Sequence, residues 1–126
     1  MSAHQLMQQA VQHHRSGRLR EAEAIYRGVL EQQPNHADAL YFLGVVRLQN
    51  GQKETAISLI ERAITVNGNV ADYYSSLGVA LRSIGKVDEA VSAYQKAIAL
   101  NPGFVEAMVN LGNALQGAGK LDESIA

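Results

Sequence analysis

The sequence predicts an all-α fold of stacked antiparallel helix pairs, and three observations carry that prediction. The first is a fixed period. Glycines stand at Gly17, Gly51, Gly85 and Gly119, each 34 residues from the last. A small residue follows each by five: Ala22, Ala56, Ala90 and Ser124. A Leu-Gly pair precedes the last three, at Leu43-Gly44, Leu77-Gly78 and Leu111-Gly112. Such a period marks a repeated supersecondary unit. The second is one-face spacing at the helical period, as in Tyr74, Leu77, Gly78 and Leu81. The third is composition: 126 residues, 47% apolar and 18% charged, with two prolines and no cysteine. That is a folded chain of one domain, residues 1–126.

Each element follows from these marks. The first pair is predicted at 3–16 and 19–32, with Gly17 between them where a positive φ ends the first helix. Pro34 closes the second helix, which it cannot continue. The second pair is predicted at 37–50 and 53–66. Its face residues are Leu40, Leu43, Gly44 and Arg47, then Ala56, Ile60, Ala63 and Ile64. Gly68 stands where Pro34 and Pro102 stand in the neighbouring units, so this turn is expected to be looser. The third pair is predicted at 71–84 and 87–100, with Ala90, Tyr94, Ala97 and Ile98 on the inner face of its second helix. A first helix at 105–118 and a stub at 121–126 complete the chain. Gly44, Gly78 and Gly112 leave room for close helix approach. Ala56 and Ala90 face them, and Leu43, Leu77, Tyr26, Ile60 and Tyr94 fill the space beside them. One pair cannot bury its apolar face alone, but a stack can.

Several function classes are disfavoured. Eleven Lys and Arg against 12 Asp and Glu leave a net charge of −1, which does not suit a general nucleic-acid binder. Without cysteine there is no disulfide, thiolate metal site or cysteine nucleophile. His4 and His14 lie about 15 Å apart along a helix, and His13 and His14 diverge by about 100°, so no metal is expected. No phosphate-cradling, zinc-protease or nucleophile-elbow motif occurs. The acidic pairs Asp88-Glu89 and Asp122-Glu123 fall at starts of second helices, where the helix dipole favours them. No signal-peptide or membrane-spanning run is evident, which suggests a cytoplasmic protein. The expected chain is not an enzyme and has no cofactor. The abrupt stop at Ala126, inside a helix, suggests a fragment.

The 34-residue unit with Leu-Gly, Gly, Ala, an aromatic or aliphatic residue, Ala and Pro resembles the tetratricopeptide repeat. Tyr74, Leu77, Gly78, Leu81, Gly85, Ala90, Tyr94, Ala97 and Pro102 stand at family marker positions. The repeats are 3–36, 37–70, 71–104 and a truncated 105–126. In flavour the chain is similar to solenoids attached to O-linked N-acetylglucosamine transferases and to bacterial scaffold proteins. The resemblance implies a right-handed superhelical solenoid. The first unit departs from the pattern: Gln9-Ala10 replace Leu-Gly and His13 stands where Arg47, Leu81 and Leu115 later stand, as suits a polar terminal cap.

The resemblance further implies a groove lined by first helices that receives a protein or peptide segment. The groove positions are His4, Met7, Gln8, Val11, His14 and Arg15 in the first unit. They are Asp38, Tyr41, Phe42, Val45, Leu48 and Gln49 in the second. In the third they include Asp72 and Ser76, and in the fourth Glu106, Asn110 and Asn113. The apolar set Met7, Val11, Tyr41, Phe42, Val45 and Leu48 reads as a docking surface. Tyr41 and Phe42 would serve equally as packing between neighbouring helices. The carboxylate clamp of chaperone-binding relatives is not expected, because Met7, Val11, Phe42, Asp72 and Ser76 occupy its positions and bring no lysine. Asn110 matches one rung of the peptide-binding asparagine ladder of the transferase solenoids, while Phe42 and Ser76 break it.

The expected function is a protein–protein interaction module or scaffold. The alternatives are the substrate-recruiting N-terminal region of a larger enzyme such as a glycosyltransferase, and a self-assembling scaffold. For the last, Leu111, Leu115, Leu121 and Ile125 would form an uncovered C-terminal face able to pair two copies.

Overall fold

Residues 1–117 are described by a computed structural model. They form helices only: α1 (Ala3–Arg15), α2 (Leu19–Gln32), α3 (Ala37–Gln49), α4 (Lys53–Val66), α5 (Ala71–Ser83), α6 (Val87–Leu100) and α7 (Val105–Gly117). The second helices of the three full pairs span the residues expected, and the stub expected at 121–126 lies outside the described residues. The first helices stop one residue sooner, at 15, 49 and 83. Ser16, Asn50 and Ile84 instead take φ of −86°, −86° and −104° with ψ near zero, as caps before the glycine.

The same device ends all three. Gly17, Gly51 and Gly85 have φ of 79°, 81° and 85°. In the first turn the Arg18 N–H donates to His13 O at 2.8 Å and the Gly17 N–H to His14 O at 3.1 Å. The pattern recurs from Gln52 to Arg47 and from Lys86 to Leu81. These paired bonds satisfy carbonyls that the helix end would leave open, and their left-handed residue suits glycine. At the other end of α1, Ser2 accepts from the Gln5 N–H while the Gln5 side chain takes the Ser2 N–H, a reciprocal cap. His36 caps α3, its Nδ1 accepting from the Ala39 N–H at 3.1 Å.

The expectation of a looser turn at Gly68 is not met on the α4 side. Asn67 caps α4 with φ −144° and ψ 99°, close to Gln33 and Asn101. Its N–H donates to Ala63 O at 2.9 Å, as Asn101 does to Ala97 O. Gly68 takes no positive φ. Glycine here does not use the freedom that distinguishes it from proline.

The chain divides into two units, Met1–Gly68 and Asn69–Ala126. In the first, α2 packs on both α1 and α3, and α3 packs on α4. Its core holds Ala10, Ala22, Tyr26, Val29, Leu40, Val46, Ala56, Ile60 and Ala63. In the second, α6 packs on α5 and α7, burying Tyr73, Ala80, Ala90, Tyr94, Ala97, Ala107 and Ala114. The small-residue reasoning holds at Gly44 and Gly78, while the helix expected to face Gly112 lies outside the described residues. A Cβ on Gly44 would lie 2.8 Å from Ile60 Cγ1, and one on Gly78 would lie 2.5 Å from Tyr94 Cε1. At Gly112 nothing among the described residues comes within 4 Å.

Candidate functional site

In the first unit the outward faces of α1 and α3 leave an open cleft with two lobes. One, of about 500 Å³, is lined by His4, Met7, Gln8, Val11, Gln12, Arg15, Asp38 and Phe42. The other, of about 390 Å³, is lined by Val11, His14, Arg15, Tyr41, Phe42, Val45 and Gln49. Val11, Arg15 and Phe42 belong to both. The spacing of Met7, Val11 and Arg15 by four residues places them in one row along α1. Tyr41, Phe42, Val45 and Gln49 form the facing row on α3.

The floor is held by an aromatic cluster reaching into the core. Phe42 stacks on the fully buried Tyr26, centroids 5.7 Å apart and planes 12° apart. Tyr41 and His14 meet Phe42 edge-on at 4.9 and 6.4 Å. Such contacts fix ring orientation as well as burying area. His14 Nε2 lies 2.7 Å from Gln49 Oε1, and its Nδ1 lies 3.3 Å from the Tyr26 hydroxyl. Since Gln49 Oε1 can only accept, Nε2 donates to it, and the Tyr26 hydroxyl faces Nδ1. Burial pushes the Tyr26 phenol up to about 12. The imidazole thus ties α1, α2 and α3 together beneath one lobe.

The cleft's charges are few. Asp38 lines one lobe from α3. Arg15 is exposed at the junction of the two lobes, and among the described residues no carboxylate pairs with it. The ion pairs of this unit lie elsewhere: Arg47 Nε sits 3.4 Å from Glu23 Oε1, and Arg27 lies 4.0 Å from Glu23. In the second unit Tyr94 is raised by burial, with Arg82 lowering and Glu106 raising it.

Of the residues picked from sequence, Met7, Val11, Tyr41, Phe42 and Val45 line the cleft together. Leu48 is half-buried and lines neither lobe. Asn110 and Asn113 lie on α7 in the other unit, half-buried and exposed, and the Asn113 carbonyl accepts from Arg82 at 3.4 Å. Leu111 and Leu115 are half-buried, while Val105, Met108 and Val109 are the exposed apolar residues of α7. Leu121 and Ile125 lie outside the described residues. Sequence reasoning did not select Gln12 as a lining residue, nor Tyr26 as the floor beneath Phe42. A Tyr on a second helix, 16 residues before an aromatic residue on the next first helix, was the available signal. Among the described residues no group of three His, Cys, Asp or Glu side chains could hold a metal, and no helix is long and apolar enough to cross a membrane.

Comparison with known proteins agrees with the repeat fold. A tetratricopeptide repeat family model matches residues 7–73, and a second TPR repeat model matches 78–119. No curated protein matches the chain. Among solved structures, MamA is 31% identical with a TM-score of 0.87, over 98% of this chain and 72% of that one. A mutant of the Thermobaculum terrenum O-GlcNAc transferase is 28% identical with a TM-score of 0.88, over 90% of this chain and 22% of that one. The first TPR of Spaghetti (RPAP3), bound to the HSP90 peptide SRMEEVD, is 21% identical with a TM-score of 0.87, over 93% of both chains, a likeness of fold.

Proposed function

We propose that this chain, which belongs to the tetratricopeptide repeat family, is a protein-interaction module holding a partner segment against α1 and α3. The observation that carries this is the two-lobed cleft. Its floor is apolar, its aromatic wall is fixed by Tyr26 and His14, and its rim is polar, the composition of a docking site with a central anchor. The repeats 3–36, 37–70, 71–104 and 105–126 are read as one interaction domain without catalysis of its own. Turnover by the purified chain, lost on a point substitution, would refute that last statement.

The test is selection of binding peptides from a random library on the folded protein, followed by titration. Phe42→Ala and Tyr41→Ala should each weaken a selected peptide by about 1–3 kcal/mol. A selected peptide whose affinity ignores both substitutions places the site elsewhere. The peptide SRMEEVD should not bind, because Met7, Val11 and Phe42 provide no lysine for a terminal carboxylate and Asp38 repels its acidic residues.

A second reading, the substrate-recruiting part of a larger glycosyltransferase, is favoured by the 28% identity to the transferase, of which this chain spans only 22%. Asn110 would be its peptide-contacting amide. Self-association is a third reading. The exposed Val105, Met108 and Val109 support it more than the half-buried Leu111 and Leu115 do. Light scattering of Val109→Glu across concentrations tests it.

A further inference from the structure

We infer that the cleft selects an internal segment with one acidic side chain flanked on both sides by apolar residues, and that Arg15 reads the acid. This rests on the docking reading above and names its partner. Three observations lead to it. Arg15 is a guanidinium on an otherwise mainly apolar surface, and among the described residues no carboxylate pairs with it. A guanidinium that is left without a partner when an apolar segment covers the cleft is costly, and a carboxylate in the segment removes that cost through a charge-assisted, bidentate contact. Arg15 also lies where the two lobes meet. A segment engaging it leaves apolar surface on either side: Met7, Val11 and Phe42 in one lobe, Tyr41, Phe42 and Val45 in the other. A chain ending in its own carboxylate at Arg15 would leave one lobe unfilled, so the occupant passes through. Finally, Asp38 stands in the first lobe. It disfavours a second acid there, which sets the register of the first and excludes strongly acidic segments.

Arg15 also lies in the last turn of α1, where a cation suits the helix dipole. The test therefore reads peptide charge preference, which a purely structural role would not move. Three fluorescein-labelled probes are titrated by anisotropy. The first has blocked ends and a Leu-Phe-Asp-Phe-Leu centre. The second has Asn for Asp. The third stops after the first Leu-Phe with a free carboxylate. The first should bind at least about tenfold more tightly than either of the others, as one charge-assisted contact allows. Its advantage over the Asn probe should vanish in Arg15→Gln and shrink as salt rises. Phe42→Ala should weaken the first two probes alike. Equal binding of the Asp and Asn probes, both weakened by Phe42→Ala, overturns the role of Arg15 and leaves the docking reading intact. Equal binding of the free-carboxylate probe overturns the internal segment. Arg15→Gln weakening the Asp and Asn probes equally assigns Arg15 to the helix end alone. Failure of all three probes at millimolar concentration overturns both readings.

Discussion

Adding one methyl group at Gly78 should unfold the second unit more easily, and the structure gives the size of the effect. A Cβ there would lie 2.5, 2.7 and 2.8 Å from Cε1, Cδ1 and Cζ of Tyr94. The phenol ring is 1% exposed and packed between helices, so it cannot swing into solvent. Either α5 and α6 separate or the ring leaves its rotamer, at about 1–3 kcal/mol or somewhat more. Alanine in a helix interior returns about 1 kcal/mol over glycine. The net expectation for Gly78→Ala is a loss of about 1 kcal/mol, and about 2 kcal/mol if the ring cannot relax. Gly112→Ala supplies the matched control. It occupies the same repeat position, but nothing among the described residues lies within 4 Å. On the contacts of the described residues only the propensity term acts there, and stability should rise by up to about 1 kcal/mol. Urea unfolding followed by far-ultraviolet circular dichroism measures both. A Gly78→Ala midpoint at or above that of the unmodified protein would refute the close-approach argument. So would equal shifts in the two variants.

Other expectations follow from the same contacts. Gly51→Ala should cost roughly 1–2 kcal/mol, because φ of 81° strains any residue with a Cβ although the space is open; an unchanged melting temperature contradicts it. Arg47→Leu should not destabilise. Its Nε is buried without a hydrogen-bond partner, 3.4 Å from Glu23, and leucine occupies the equivalent positions 81 and 115; a lower urea midpoint would show that the ion pair contributes more than its desolvation costs. Alkaline pH should destabilise the fold. Tyr26 is raised from 10.0 to about 12 and Tyr94 is raised from 10.0. The unfolded chain therefore releases these protons first. Stability is fully present below pH 10 and falls as pH rises toward 12, by about 1.4 kcal/mol per unit through Tyr26. Tyr26→Phe should flatten that slope, and an unaltered slope would contradict the assignment.

The helices were legible because glycine and proline punctuate a period, and the second helices come out at their full spans. The first helices ended a residue sooner than the pattern suggested. The cap before a left-handed glycine has no residue preference of its own: Ser16, Asn50 and Ile84 all fill it. The cleft was legible as a row of apolar residues on α1 and α3. Its floor was not, because Tyr26, His14 and Phe42 come from three helices and meet only after packing. Leu48 shows the limit of position-by-position transfer. It belongs to the implied groove set, yet it sits half-buried near the end of α3, away from both lobes. Arg15 was visible only as one position among many, since an unpaired charge is a property of the surroundings.

The hole at Gly44 is filled by Ile60, and the hole at Gly78 by Tyr94. Each hole and its filler lie on the two helices of one pair, 16 residues apart in both cases. A duplication or deletion with its breakpoints between pairs would carry hole and filler together. Breakpoints in the glycine turn between α3 and α4, or between α5 and α6, would set a tyrosine into a space shaped around isoleucine, or the reverse. Although every phase of a 34-residue period is arithmetically equivalent, tolerated genetic rearrangement of this chain should favour the phase that begins at a first helix and ends after its partner.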